Sequence, residues 1–125
     1  SVPVINGLTD QSHPCQIMAD VLTFEEHRGD IAGKTVAWVG DGNNVARTWV
    51  QAAVQFDFAV HLSSPASLAV PEELVAWATG AGARIESFDD PRDAVRGVDC
   101  VVTDTWVSMG DDAANRHKLL VPFRV

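Results

Sequence analysis

Thr35-Val36-Ala37-Trp38-Val39, followed at once by Gly40-Asp41-Gly42-Asn43-Asn44-Val45, is the stretch that decides the fold. The first segment is apolar without alternation, as in a strand covered on both faces, and it is too short for a helix. Two glycines then demand a tight turn. Helical spacing follows, with Val45, Trp49, Ala52 and Ala53 on one face of a helix predicted over 44–55. Strand, glycine turn and helix in that order open a parallel βαβ unit.

The same alternation extends in both directions. Upstream, a helix is expected over 14–28, with Pro14 at the first helical position and Gly29 as its stop. His13 and Gln16 have capping-box spacing, and Ile17, Met18, Val21 and Leu22 form an apolar stripe. Downstream, strands are expected over 58–62, 83–88 and 99–103 and helices over 71–79, 90–96 and 111–120. Glu72 and Glu73 suit the first turn of their helix, and Gly80, Gly82 and Gly97 mark helix ends. Four strands joined by helices imply right-handed crossovers and a parallel sheet. The expected fold class is α/β, a Rossmann-like three-layer sandwich with strand order 3-2-1-4, truncated.

The totals fit one domain. The chain has 125 residues, of which 46% are hydrophobic and 21% charged, and a chain of this size buries about two-thirds of its unfolded surface. A formal net charge of −8 disfavours nucleic acid and anionic membrane surfaces as partners, because both need clustered Lys and Arg. Cys15 and Cys100 are the two cysteines; they form no disulfide framework or zinc spacing and read as free thiols, with Cys100 in a buried strand. No signal peptide or apolar run of transmembrane length is visible, so the expected location is cytoplasmic. The apolar ends, Ser1-Val2-Pro3-Val4-Ile5 and Val121-Pro122-Phe123-Arg124-Val125, suggest a piece of a longer protein.

Ligands of open α/β sheets bind at the carboxyl ends of the strands. Two polar clusters are expected there: the 40–44 loop, and Asp104-Thr105-Trp106-Val107-Ser108-Met109-Gly110 after the last strand. The first occupies the place of a dinucleotide fingerprint but departs from it. Val45 stands at the third glycine, and Ser63-Ser64 stands where an acid would hold a ribose. Helix N-terminal amides beside two asparagines suit a carboxylate; equally, Asn43 or Asn44 serves simply as the helix cap.

Val4-Ile5-Asn6-Gly7-Leu8-Thr9-Asp10 with His13-Pro14-Cys15-Gln16, the 40–44 loop and the 104–110 loop together resemble the ornithine carbamoyltransferases, in order and over essentially the whole chain. The Ser-Met-Gly loop is the specific signal. The resemblance implies transfer of the carbamoyl group of carbamoyl phosphate to the δ-amine of L-ornithine, giving L-citrulline and phosphate. It implies residues 1–28 as an interdomain segment and linking helix of the carbamoyl-phosphate side, and 29–125 as an ornithine-binding domain incomplete at its C-terminus. His13 and Gln16 would bind carbamoyl phosphate; Asn44, Asp104, Ser108 and Met109 would bind ornithine. No metal and no cofactor is implied, and the parent would be a homotrimer or a multiple of one.

The resemblance also implies what lies outside this chain. The family grips carbamoyl phosphate with a Ser-Thr-Arg-Thr loop and a further arginine upstream, and completes the site with a His-Cys-Leu-Pro segment and an arginine downstream. None of these is present, so the isolated polypeptide, with no catalytic residue of its own, is expected to be inactive. It is also expected to self-associate, through an open edge at its last strand. Asp104 argues against aspartate as acceptor, since an acid repels a dicarboxylate. The competing reading is a non-catalytic Rossmann-like module binding a nucleotide or an amino acid. Met109 reads as an apolar wall, Trp106 as a core residue and Cys15 as an inert thiol. His27, His61 and His117 read as surface or core histidines, and Asp111-Asp112 as a helix start.

Overall fold

The computed structural model describes residues 1–107 and 111–125. It is an α/β fold whose elements follow one another as α1 (Pro14–Arg28), β1 (Thr35–Val39), α2 (Asn44–Phe56), β2 (Ala59–Ser63), α3 (Glu72–Gly80), β3 (Arg84–Ser87), α4 (Pro91–Ala94), β4 (Cys100–Val102) and α5 (Ala113–Leu120). Short 3₁₀ turns at Ala66–Leu68 and Val121–Phe123 were not anticipated. The four strands are parallel and ordered β3-β2-β1-β4, as expected. Among the described residues no helix is long and apolar enough to cross a membrane.

The strand order explains the layers. α2 and α3 lead outward from β1 through β2 to β3, and α1 packs on α2 and α2 on α3. The chain then returns to the far side of β1, and a right-handed crossover carries α4 to the opposite face, against β1 and β2. The order in which the chain lays down strands therefore reverses between β1 and β4. That reversal is the crevice where ligands of open α/β sheets sit.

The core lies between the sheet and the row α1–α2–α3. Trp38 of β1 and Trp49 of α2 are essentially inaccessible, and Trp49 meets Phe58 edge-to-face at 5.7 Å. Ile17, Val21 and Phe24 form the buried stripe of α1. This corrects the expected stripe: Met18 and Leu22, on the neighbouring flank, are 55% and 58% exposed. The capping box is also absent. His13 is the N-cap but makes no side-chain capping bond, and the Gln16 amide donates forward to Asp20 Oδ1 at 2.9 Å. Coverage on both faces is fullest in β1, where Val36, Ala37, Trp38 and Val39 are all buried. β3 and β4 are sheet edges; Cys100 is only half-buried and Val101 is 41% exposed, so Cys100 does not lie in a buried strand. Burial still pushes its thiol pKa up, with Asp20 adding to the effect.

Candidate active site

The loops after β1 and β4 form one rim because their strands are neighbours, Val36 pairing with Cys100 and Trp38 with Val102. The loop after β1 is fixed from several sides. Trp38 Nε1 donates to Asp41 O at 2.9 Å, and Gly40 turns at φ 137°. Gly42 N donates to Leu68 O at 2.7 Å. A Cβ on Gly42 would lie 2.4 Å from that carbonyl oxygen and 2.5 Å from Val70 N. The second glycine is thus required by the chain's own close approach at 68–70.

Asn43 caps α2, its Oδ1 accepting from Val45 N and Ala46 N at 3.0 and 3.1 Å. Its Nδ2 is free for a second task and donates to Asp104 Oδ2 at 2.8 Å. Asp104 Oδ1 accepts from the Thr105 amide at 2.7 Å. The half-buried carboxylate is held by one hydrogen bond on each oxygen, with no cation bonded to it among the described residues. The side chain bonded to Asp104 is therefore Asn43, which is also the cap of α2, and not Asn44. Asn44 makes no such bond; its Nδ2 donates to Thr9 O at 2.8 Å.

A second charge cluster closes the rim. Arg116 of α5 pairs with Asp41 Oδ2 at 2.5 Å and with Asp111 Oδ1 at 3.1 Å. The Asp41 pKa is nevertheless raised: desolvation by burial outweighs the attraction of Arg116, and the Asp111 charge adds to the rise. A guanidinium that also serves Asp111 does not offset the burial of Asp41. Asp112 caps α5 by accepting from Asn115 N at 3.3 Å, so Asp111-Asp112 is the helix start expected of it.

His13, Gln16, Asn44 and Asp104 all line one cleft of ≈ 1440 Å³, with Asn43, Arg47 and Arg116. Four of the six expected binding residues thus share it. Ser108 and Met109 lie outside the described residues. His13 Nδ1, Arg47 Nε and Trp49 Nε1 are buried without a partner among the described residues, and all three residues line the cleft. Arg47 and Arg116 went unnoticed in the sequence; no local pattern links them to the loops they face. Trp106 is not in the core as expected: it is half-buried and meets the His117 ring edge-to-face at 5.3 Å. His61 is a structural residue, its Nδ1 2.8 Å from Ala94 O and its ring tilted on Phe88.

The family model described as "Aspartate/ornithine carbamoyltransferase, Asp/Orn binding domain" matches residues 32–125. The chain belongs to the aspartate/ornithine carbamoyltransferase family. The model of the same family's carbamoyl-P binding domain matches residues 1–26. Relatives in this carbamoyltransferase family include the ornithine carbamoyltransferase of Nitrobacter winogradskyi, 58% identical over all of this chain and 41% of the relative. That of Rhodopseudomonas palustris (strain BisA53) is 56% identical over all of this chain and 40% of its own length. Among solved carbamoyltransferase structures, ornithine carbamoyltransferase from Pyrococcus furiosus superposes with a TM-score of 0.89 at 41% identity, over 100% of this chain and 42% of that one. The enzyme from Burkholderia thailandensis gives 0.84 at 46% identity, over 99% of this chain and 39% of that one. The chain therefore spans about two-fifths of the length of the carbamoyltransferases it matches.

Proposed function

We propose that the protein carrying this chain is an ornithine carbamoyltransferase. It moves the carbamoyl group of carbamoyl phosphate to the δ-amine of L-ornithine, giving L-citrulline and phosphate. The observation that carries this reading is the single cleft shared by His13, Gln16, Asn44 and Asp104. On this reading Asp104 pairs with the α-ammonium of ornithine, and Asn43 keeps the carboxylate aimed by holding one of its oxygens. Asn44, Ser108 and Met109 hold the rest of the amino-acid end. A dicarboxylate acceptor would meet the like charge of Asp104, which favours ornithine over aspartate.

The chemistry asked of the chain is modest. The deprotonated δ-amine attacks the carbonyl carbon, a C–N bond forms, and negative charge builds on the carbonyl oxygen. His13 donates to that oxygen as the charge develops. Collapse breaks the C–O bond to phosphate, which leaves with the electron pair and takes up the proton that the attacking nitrogen loses. Gln16 accepts from the carbamoyl NH₂; its own Nε2 is engaged by Asp20, which leaves Oε1 for this role. Most of the acceleration comes from holding two small substrates in line. Residues 1–28 serve as the linking segment of the carbamoyl-phosphate side and 29–125 as the ornithine-binding domain, in a cytoplasmic homotrimer or a multiple of one without a cofactor. The phosphate dianion needs cationic clamps from outside this chain, so the isolated polypeptide is inactive.

A citrulline assay on the full-length protein tests the reading. The unaltered protein forms citrulline, and Asp104→Asn raises KM for ornithine about 10²-fold, the loss expected for one charged hydrogen-bonded contact. The isolated 125-residue chain forms none at an enzyme-like rate. A full-length protein that makes no citrulline would overturn the assignment.

A further inference from the structure

The two halves of the cleft are joined by one buried hydroxyl. Thr48 lies in the second turn of α2 and is 5% exposed. Its Oγ1 donates to Asn44 O at 2.7 Å and accepts from His13 N at 2.8 Å. The first bond stays within α2. The second crosses to the N-cap of α1, 35 residues away in the chain. One oxygen thus fixes the backbone of the residue assigned to the carbamoyl group relative to the backbone of a residue assigned to ornithine.

We propose that Thr48 is a positioning residue for carbamoyl transfer: its hydroxyl sets where His13 sits relative to Asn44, and so aligns the two substrates' binding groups. The inference rests on the carbamoyl-transfer reading above. Three features support it. The N-cap of α1 has no side-chain capping bond of its own, so the entry of the chain into that helix is set from outside. The His13 imidazole nitrogen Nδ1 is buried without a partner among the described residues, so nothing bonded to that atom holds the ring. The same face of α2 grips the approach to His13 twice more, Asn44 donating to Thr9 O and Arg47 Nη1 to Gln11 Oε1 at 3.2 Å. Those two bonds lie at exposed positions, where water competes; the Thr48 bond is part-buried, and Thr48 itself is buried, so a His13 N–H that loses it is replaced less readily by water.

Thr48→Val in the full-length protein removes the hydroxyl at nearly constant volume, Thr48→Ala removes it without a new methyl contact should the valine fail to fold, and Thr48→Ser keeps it. Misplacing a reacting group by a fraction of an ångström to an ångström costs up to about 10²-fold. The expected result is that Val and Ala raise KM for carbamoyl phosphate at least about tenfold and lower kcat/KM by about 10²-fold, while Ser stays within about threefold. KM is the deciding number, because a variant that merely folds less well yields less active protein without changing KM. Hydrogen exchange at the His13 amide gives a reading free of substrate: it is protected in the unaltered protein and in Ser, and exchanges at least about tenfold faster in Val and Ala. Val or Ala with both substrate KM values unchanged overturns the role of Thr48 even if total activity falls. So does a His13 amide that is unprotected in the unaltered protein. An unaltered full-length protein without citrulline-forming activity overturns the parent reading instead, and the role of Thr48 in that reaction with it.

Discussion

Asp41 is a carboxylate whose burial outweighs its cation. Its pKa is raised above 3.8 despite the Arg116 bond. Below 3.8 the folded and unfolded chains both hold the proton. As pH rises past that value the unfolded chain releases its proton first, so the folded state binds more protons and loses stability. The expected outcome is that the unaltered protein loses stability relative to Asp41→Asn as pH rises through and above 3.8, in urea unfolding at a series of pH values. A difference that grows in favour of Asp41 as pH rises would refute it. The same residues mark what was legible at this scale. Asp104 was readable because an acid directly after an apolar run falls on the ligand-binding rim of a parallel sheet. Asn43 and Asn44 were not separable, since either can cap a helix, and only the turn geometry gives Asn43 the bond to Asp104, 61 residues away. Arg116 was invisible for the same reason, its partner Asp41 lying 75 residues distant.

Strand and helix identities followed from local chemistry because α/β units carry strong punctuation. Gly29 turns at φ 78°, where only glycine rests easily, and caps α1 as expected; Gly97, at 72°, lies three residues past Ala94, because α4 ends sooner than the expected Arg96. α2 ends differently. Its C-cap is Asp57 at φ 54°, a left-handed conformation that a side chain adopts at a cost. The sequence offered no glycine there, and the helix was expected to end sooner, at Gln55. Asp57→Gly should stabilise the protein by about 0.5–1 kcal/mol, the relief of the left-handed penalty less the added freedom of glycine when unfolded. Chemical denaturation measures it, and a destabilised variant would show that the aspartate side chain supports the turn. Exposure was less legible than identity. α1 looked apolar on a stripe that included Met18 and Leu22, but a helix buries only the side its neighbours reach, and its buried residues are Ile17, Val21 and Phe24. β3 and β4 read as covered strands because composition does not reveal that they are edges.

For the molecule as a whole, the strand order was predictable because right-handed crossovers and short connections leave few alternatives. The surface was not. Met18, Leu22, Trp77 and Val101 are all substantially exposed, and β4 offers an unpaired edge among the described residues. A net charge of −8 opposes contact between copies but is screened over about a nanometre at physiological salt. The 125-residue polypeptide should therefore self-associate. Light scattering at rising concentration tests this, and a monomer throughout would refute it. The two side-chain links made to the 41–43 loop have a further effect. Asp104 is bonded to Asn43, and Arg116 to Asp41, so the connection between β4 and α5 is stitched down at its beginning and its end. Closing a loop costs entropy that grows with its length. Here folding has already met that cost at the two anchored ends, so a ligand that binds at this rim does not meet it again.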